Sequence, residues 1–269
     1  MTDRSSCTVE LRELALRIVT ARDLEAKLAP PPARWSDERP GPPLRLTRPG
    51  RPRELAIAPA GRVKVPPLEG MADPAQRGRI VHALANHELQ AAELFAWALL
   101  AFPEAPRELR RGLLGVLRDE QRHTRMYRAR AEALGTPFGS APVTGYFWHR
   151  AETFRSPLEF LCAMSLTFEN ANLDHTVDYA AAARRAGDEA TAAVVDRVHR
   201  DEVEHVRFGW TWLNRLKDPD QSPWEAYRGS LTWPLRPAKG RGARFHRAGR
   251  EAAGLEPEFI RLLEEEAHR

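Results

Sequence analysis

Apolar residues recur at three- and four-residue intervals along four long stretches of the chain, the spacing of one face of an α-helix. The first stretch runs from near Ala75 to Ala101 and the second from after Pro106 to Gly135. The third begins after Pro157 and ends near Gly187, and the fourth runs from Asp188 to about Leu216, ahead of Pro219. Stops at Pro and Gly are what helix termination chemistry requires. Four helices of about 25–30 residues, with one longer link between the second and third, predict a four-helix bundle. That link carries Pro142, Gly145 and the aromatic run Tyr146, Phe147 and Trp148. Ahead of the bundle, Leu11, Leu14, Leu16, Ile18, Val19 and Leu24 predict an amphipathic helix over about Thr8 to Leu28. From Pro30 to Pro67 the pattern breaks: 11 of the chain's 22 prolines fall there, which sustains neither helix nor central strand. An extended wrap or linker is expected, with short strands at most at Leu55–Ile57 and Val63–Val65. A short helix, Glu256 to Ala267, closes the chain. The expected organisation is an N-terminal helix and Pro-rich wrap over 1–73, a bundle over 74–217 and a basic tail over 218–269.

Composition changes this picture little. Of 269 residues, 42% are hydrophobic and 29% charged, the balance of a soluble globular protein. The longest apolar run of the helical part, Leu94 to Phe102, has nine residues, against the 18 or more of a membrane span. The N-terminus has no apolar signal region, and Cys7 and Cys162 form no C-x-x-C. A cytoplasmic protein without membrane association is expected. Net charge is +4, and only four of the 41 cations are lysines. Arginine suits carboxylate and phosphate recognition, but biased coding composition produces the same excess, so nucleic-acid binding is not favoured on charge alone. The basic stretch Arg228, Arg236, Lys239, Arg241, Arg244, Arg247 and Arg250, with His246, reads as a solvated peripheral segment rather than an anion site.

Carboxylates sit where the helical pattern demands apolar residues. Glu88 lies among Leu84, Ala85, Ala91, Ala92 and Phe95 at three- and four-residue spacings. Glu120 follows Val116 and Leu117, Glu169 follows Leu166, and Glu202 follows Val198. An ionised carboxylate on such a face costs several kcal/mol unless it is paired or bound to a cation. His123 and His205 each stand three residues after a glutamate, so each E-x-x-H projects from one face. The set has a rhythm: Glu88 to Glu120 is 32 residues, Glu169 to Glu202 is 33, and the E-x-x-H pairs are offset by 82. Each half is therefore a helix hairpin giving one Glu, then Glu and His. Four Glu and two His from four helices form the ligand set of carboxylate-bridged di-iron and di-manganese sites. Oxygen-rich ligation with one imidazole per ion suits Fe or Mn better than structural zinc. The competing reading is a bundle in which the same groups form buried Glu–His pairs without metal. Glu265-x-x-His268 repeats the short motif without the upstream glutamate and reads as an accident. Around the six ligands, His87, His199, Asp174 and Asp201 are candidate partners, as is His82. Tyr127, four residues beyond His123, is a candidate redox or proton-donating phenol. Phe95, Trp97 and Phe168 read as aromatic core. No G-x-S-x-G, Walker loop or G-x-G-x-x-G occurs.

The stretches Ala85-Asn86-His87-Glu88-Leu89-Gln90-Ala91, Asp119-Glu120-Gln121-Arg122-His123, Phe168-Glu169-Asn170-Ala171-Asn172-Leu173-Asp174 and Asp201-Glu202-Val203-Glu204-His205-Val206 resemble a bacterial ferritin-like family filed as a domain of unknown function. The resemblance spans about Arg48 to Leu216 and includes Pro49-Gly50-Arg51-Pro52. More distantly the pattern is similar to rubrerythrins and to a ferritin-like tRNA hydroxylase. The resemblance implies an all-α, ferritin-like fold and a dinuclear site on Glu88, Glu120, His123, Glu169, Glu202 and His205, but no substrate. The expected activity is that of a di-iron (or Mn/Fe) oxidoreductase, an oxygenase or oxidase using O2 or peroxide on a small organic substrate. An external electron donor or reductase is then required, since no donor domain is encoded. The alternatives are an iron-handling or peroxide-scavenging protein and a tRNA-modifying hydroxylase; a homodimer is compatible with each.

Overall fold

The computed structural model describes residues 8–59 and 61–266; Cys7 and His268 lie outside them. The chain is all-α: the described residues contain ten α-helices and a single pair of two-residue strands. They divide into two compact units. The first comprises Met1–Lys64, Val81–Glu132 and Thr136–Glu152, the second Val65–Ile80, Ala133–Gly135 and Thr153–Arg269.

In the first unit the N-terminal pattern gives two helices rather than one, α1 (Leu11–Thr20) and α2 (Leu24–Leu28). The expected single helix over Thr8 to Leu28 breaks because Asp23 acts as a cap, accepting from the Ala26 amide at 2.8 Å. The last carbonyls of α1, left over as at any helix end, are also taken: Lys27 Nζ donates to Ile18 O at 2.6 Å and Val19 O at 3.1 Å. Val9–Glu10 pairs in parallel with Trp35–Ser36, a strand the sequence pattern did not show. No strand forms at Val63–Val65, and Ile57 makes one isolated bridge to Val143.

Helices α3 (Pro74–Ala101) and α4 (Arg107–Ala133) match their predicted spans. A five-residue turn reverses the chain between them. From Glu88 to Ala101, α3 is buried on every side, as befits a helix apolar all round. The Pro-rich segment accounts for part of that burial. Its Leu44 amide donates to Leu100 O at 2.9 Å, and Trp97 Nε1 donates to Leu46 O at 3.0 Å. Arg110 clamps Asp37 with two hydrogen bonds of 2.7 Å each. The deepest tie is Glu93, fully buried on α3. Its carboxylate takes Lys27 Nζ at 3.1 Å, Arg51 Nη2 at 2.7 Å and Trp148 Nε1 at 2.7 Å. Burial pushes the Lys27 ammonium down from the ordinary lysine range, and the Glu93 charge opposes that push.

In the second unit, α5 (Pro157–Ala163) continues through a π-helical segment, Met164–Glu169, into α6 (Asn170–Arg185). Gly187, at φ +73°, allows the left-handed turn that ends this helix. α7 (Glu189–Leu216) then runs back along α6. Contacts from Asn172 to Glu202, Thr176 to His199 and Arg184 to Asp196 mark the antiparallel register. The tail adds α8 (Pro223–Gly229), α9 (Arg247–Ala252) and α10 (Pro257–Glu265). Phe259, Ile260 and Leu263 of α10 join Leu166, Leu173 and Trp210 in one apolar cluster.

The basic tail is therefore no solvated appendage. Arg250 is fully buried and grips Asp174 with hydrogen bonds of 2.7 and 2.9 Å. Arg244 pairs with Asp178 at 2.8 Å, and Arg247 pairs with Glu264. Sequence periodicity missed this because the tail helices are short and two of its cations, Arg244 and Arg250, find their acids about 70 residues earlier in the chain. Removing one member of a buried ion pair costs about 3–5 kcal/mol. Arg250→Met is expected to lower unfolding free energy by about that amount in urea titration, and adding Asp174→Asn should recover part of the loss.

Candidate metal centre

Each unit assembles one of the two Glu, Glu-x-x-His groups. In the first, α3 supplies Glu88 and α4 supplies Glu120 and His123. His123 Nδ1 stands 3.8 Å from Glu88 Oε2 and 3.6 Å from Glu120 Oε2. In the second, Glu169 ends the π segment, and α7 supplies Glu202 and His205. His205 Nδ1 stands 3.9 Å from Glu169 Oε1 and 3.6 Å from Glu202 Oε2. All six side chains are buried. Within each triad, one donor atom per residue lies within 4.8 Å of the others.

These separations exceed those of N–H···O hydrogen bonds. Two atoms each about 2.1 Å from one cation stand at most about 4.2 Å apart. The imidazole-to-carboxylate separations fall within that limit, so each triad could hold a metal ion, and two carboxylates with one imidazole make it an oxygen-rich donor set. The residues present fit a metal in each unit.

The π segment sets where Glu169 sits. Widening the helix by one residue per turn leaves carbonyls without their usual i+4 amides, and such segments gather at functional sites. Here Thr167 Oγ1 donates to Cys162 O at 2.8 Å and lies 2.9 Å from the Tyr227 hydroxyl of α8. Arg250 Nη2 donates to Asn170 O at 3.1 Å. Gly209 brings α7 close: a Cβ there would fall 2.4 Å from Ser165 Cβ. Burial pushes both the Tyr227 phenol and the Cys162 thiol up, the latter to about 12, so both stay protonated and uncharged beside the segment.

The other candidates take separate places. Asp174 is committed to the tail, since besides Arg250 it accepts the Gly242 amide at 2.8 Å and the His246 amide at 2.7 Å. Asp201, largely buried, pairs with Arg197 four residues back on α7 at 3.1 Å. His199 Nδ1 lies 2.8 Å from Thr176 Oγ1. His87 is half-buried, its ring 5.4 Å from that of Phe147. His82 Nε2 accepts from the Gly139 amide at 3.0 Å. Tyr127 is buried on α4, one turn beyond His123.

Two residues escaped sequence reasoning. Asn172 Nδ2 donates to Glu202 Oε1 at 3.1 Å; a polar residue facing a partner on another helix leaves no signal in its own neighbourhood. Glu93 did leave one, a carboxylate inside the apolar run of α3, but its cations lie far away in sequence.

The chain matches, over residues 9–261, the family described as "Protein of unknown function (DUF455)". It belongs to that family. The match takes in both triads, the Pro-rich segment and most of the tail. No curated protein and no solved structure matches the chain.

Two outcomes are expected. Gly209→Ala, which forces a methyl against Ser165, should cost about 1–3 kcal/mol of stability, measured by denaturant unfolding. Burial lowers the His82 and His199 imidazoles below the usual value of 6.5, so the unfolded chain binds protons first as pH falls. Their contribution to stability is then present above about pH 6.5 and lost below it. Stability profiles from pH 8 to 5 should show this loss, and His82→Gln should reduce it.

Proposed function

We propose that each triad holds one metal ion, both iron or one manganese and one iron, and that the protein is an O2- or peroxide-activating oxidoreductase acting on a small organic substrate. The observation that carries this reading is the repeated triad. Two hairpins, offset by about eighty residues in the chain, present the same three ligand types at the same spacings. Four carboxylates bring −4, which two divalent cations balance. When bound, such a metal pair supplies redox chemistry with oxygen species.

The chain's own residues supply the rest. Glu88, Glu120, Glu169 and Glu202 bind and place charge, and His123 and His205 add one neutral nitrogen donor each. Asn172 orients the Glu202 carboxylate, leaving its other oxygen available as a ligand. Burial keeps bulk water away from all six. The chain carries no cysteine cluster for electron transfer, so the reaction draws electrons from a separate donor.

Metal analysis after growth with iron and manganese tests the reading directly. About two metals per chain are expected, falling below about one in Glu120→Ala with Glu202→Ala while helix content is retained. Full loading of that double variant, or wild-type protein with no bound metal, would overturn it. Air exposure of the ferrous protein should change its optical spectrum. Assembly into a large hollow shell would instead favour iron storage.

A further inference from the structure

The Pro49-Gly50-Arg51-Pro52 stretch belongs to the first unit and contributes no residue to either triad. It is docked with unusual closeness. The Gly50 amide donates to Val19 O at 2.8 Å, and a Cβ at Gly50 would fall 1.9 Å from Thr20 O, so only glycine allows the approach. Prolines on either side hold the backbone dihedrals. Arg51 turns inward, giving Nη1 to Asn86 Oδ1 at 2.8 Å and Nη2 to Glu93. Its neighbours Arg48 and Arg53 are exposed. Together with Arg22, from the turn between α1 and α2, they border a cleft of about 1070 Å³.

This cleft is chemically one-sided. The guanidiniums of Arg22, Arg48 and Arg53 make no hydrogen bond or ion pair among the described residues. Of the side chains in its wall, only Glu152 carries negative charge. Ile57 and Pro59 add apolar surface. Three arginines share this wall with a single acid, and the Pro49-Gly50-Arg51-Pro52 frame lies between two of them. Their forked donors match phosphate oxygens in pairs. Pockets for cofactor-sized molecules run to about 1,000 Å³, so the cleft has room for far more than a single phosphate ion.

We propose that this cleft binds a phosphorylated small molecule of nucleotide size, its phosphates on Arg22, Arg48 and Arg53 and its less polar part along Ile57 and Pro59. The site is separate from the metal ligands and stands whether or not the protein is an oxidoreductase.

Calorimetric titration of the full-length, metal-loaded protein with ADP, inorganic pyrophosphate and adenosine tests it. ADP should bind, pyrophosphate should bind more weakly, and adenosine should show no measurable heat. Arg48→Gln and Arg53→Gln should each weaken ADP about tenfold, with metal content unchanged, and added salt should weaken it further. Failure of both ADP and pyrophosphate to bind at millimolar concentration would overturn the proposal, as would unchanged ADP affinity in the double variant. Adenosine binding as tightly as ADP would exclude phosphate recognition. A tRNA pool binding more tightly than ADP, and lost in the same variants, would assign the cleft to nucleic acid instead.

Discussion

A carboxylate buried in a helical protein must meet positive charge, and this chain is organised around meeting that demand several times. Desolvation of an ion costs several kcal/mol even after relaxation, more than any single apolar contact returns. Glu93 is met by Lys27 and Arg51, Asp174 by Arg250, and Asp188 by Arg77 at 2.8 Å. Each pairing reaches across long stretches of sequence and so decides where a whole segment lies. Lys27 brings α2 onto α3, Arg51 brings the Pro-rich segment to the same point, and Arg250 fixes the tail to α6.

The four glutamates of the triads meet the demand differently. Glu202 accepts from the neutral Asn172 amide at 3.1 Å, and in each triad the imidazole stands 3.6–3.9 Å from the carboxylates; an imidazole is neutral over much of the physiological range. A divalent cation satisfies carboxylates and imidazole at once, which neither arginine nor lysine does. On α3 the two solutions stand five residues apart: Glu93 is tied to the chain's own cations, and Glu88 faces His123.

The tail acquires a purpose from the same reasoning. A π segment is a poorer hydrogen-bonding arrangement than the α-helix around it and persists where its surroundings hold it. Tyr227 of α8 touches it through Thr167, and Arg250 of α9 takes the Asn170 carbonyl just beyond it. Gly209 of α7 lets the neighbouring helix close over Ser165. Glu169 therefore owes its position to three other helices as well as its own.

The sequence by itself determined the four long helices, their ends and the six ligand candidates. Helical periodicity is local, Pro and Gly stop signals are local, and an E-x-x-H pair shares a face by helix geometry alone. A carboxylate in an apolar stripe also announces itself locally, as Glu88 and Glu120 did. Only the tertiary structure decided the break between α1 and α2, the π segment before Glu169, the docking of the tail and the partnership of Asp174 with Arg250. The break is made nearby, by Asp23 and Lys27, but each of the others rests on a side chain many tens of residues away supplying a charge or hydrogen bond. Nothing in the local alternation of polar and apolar residues encodes which distant cation a buried carboxylate will meet.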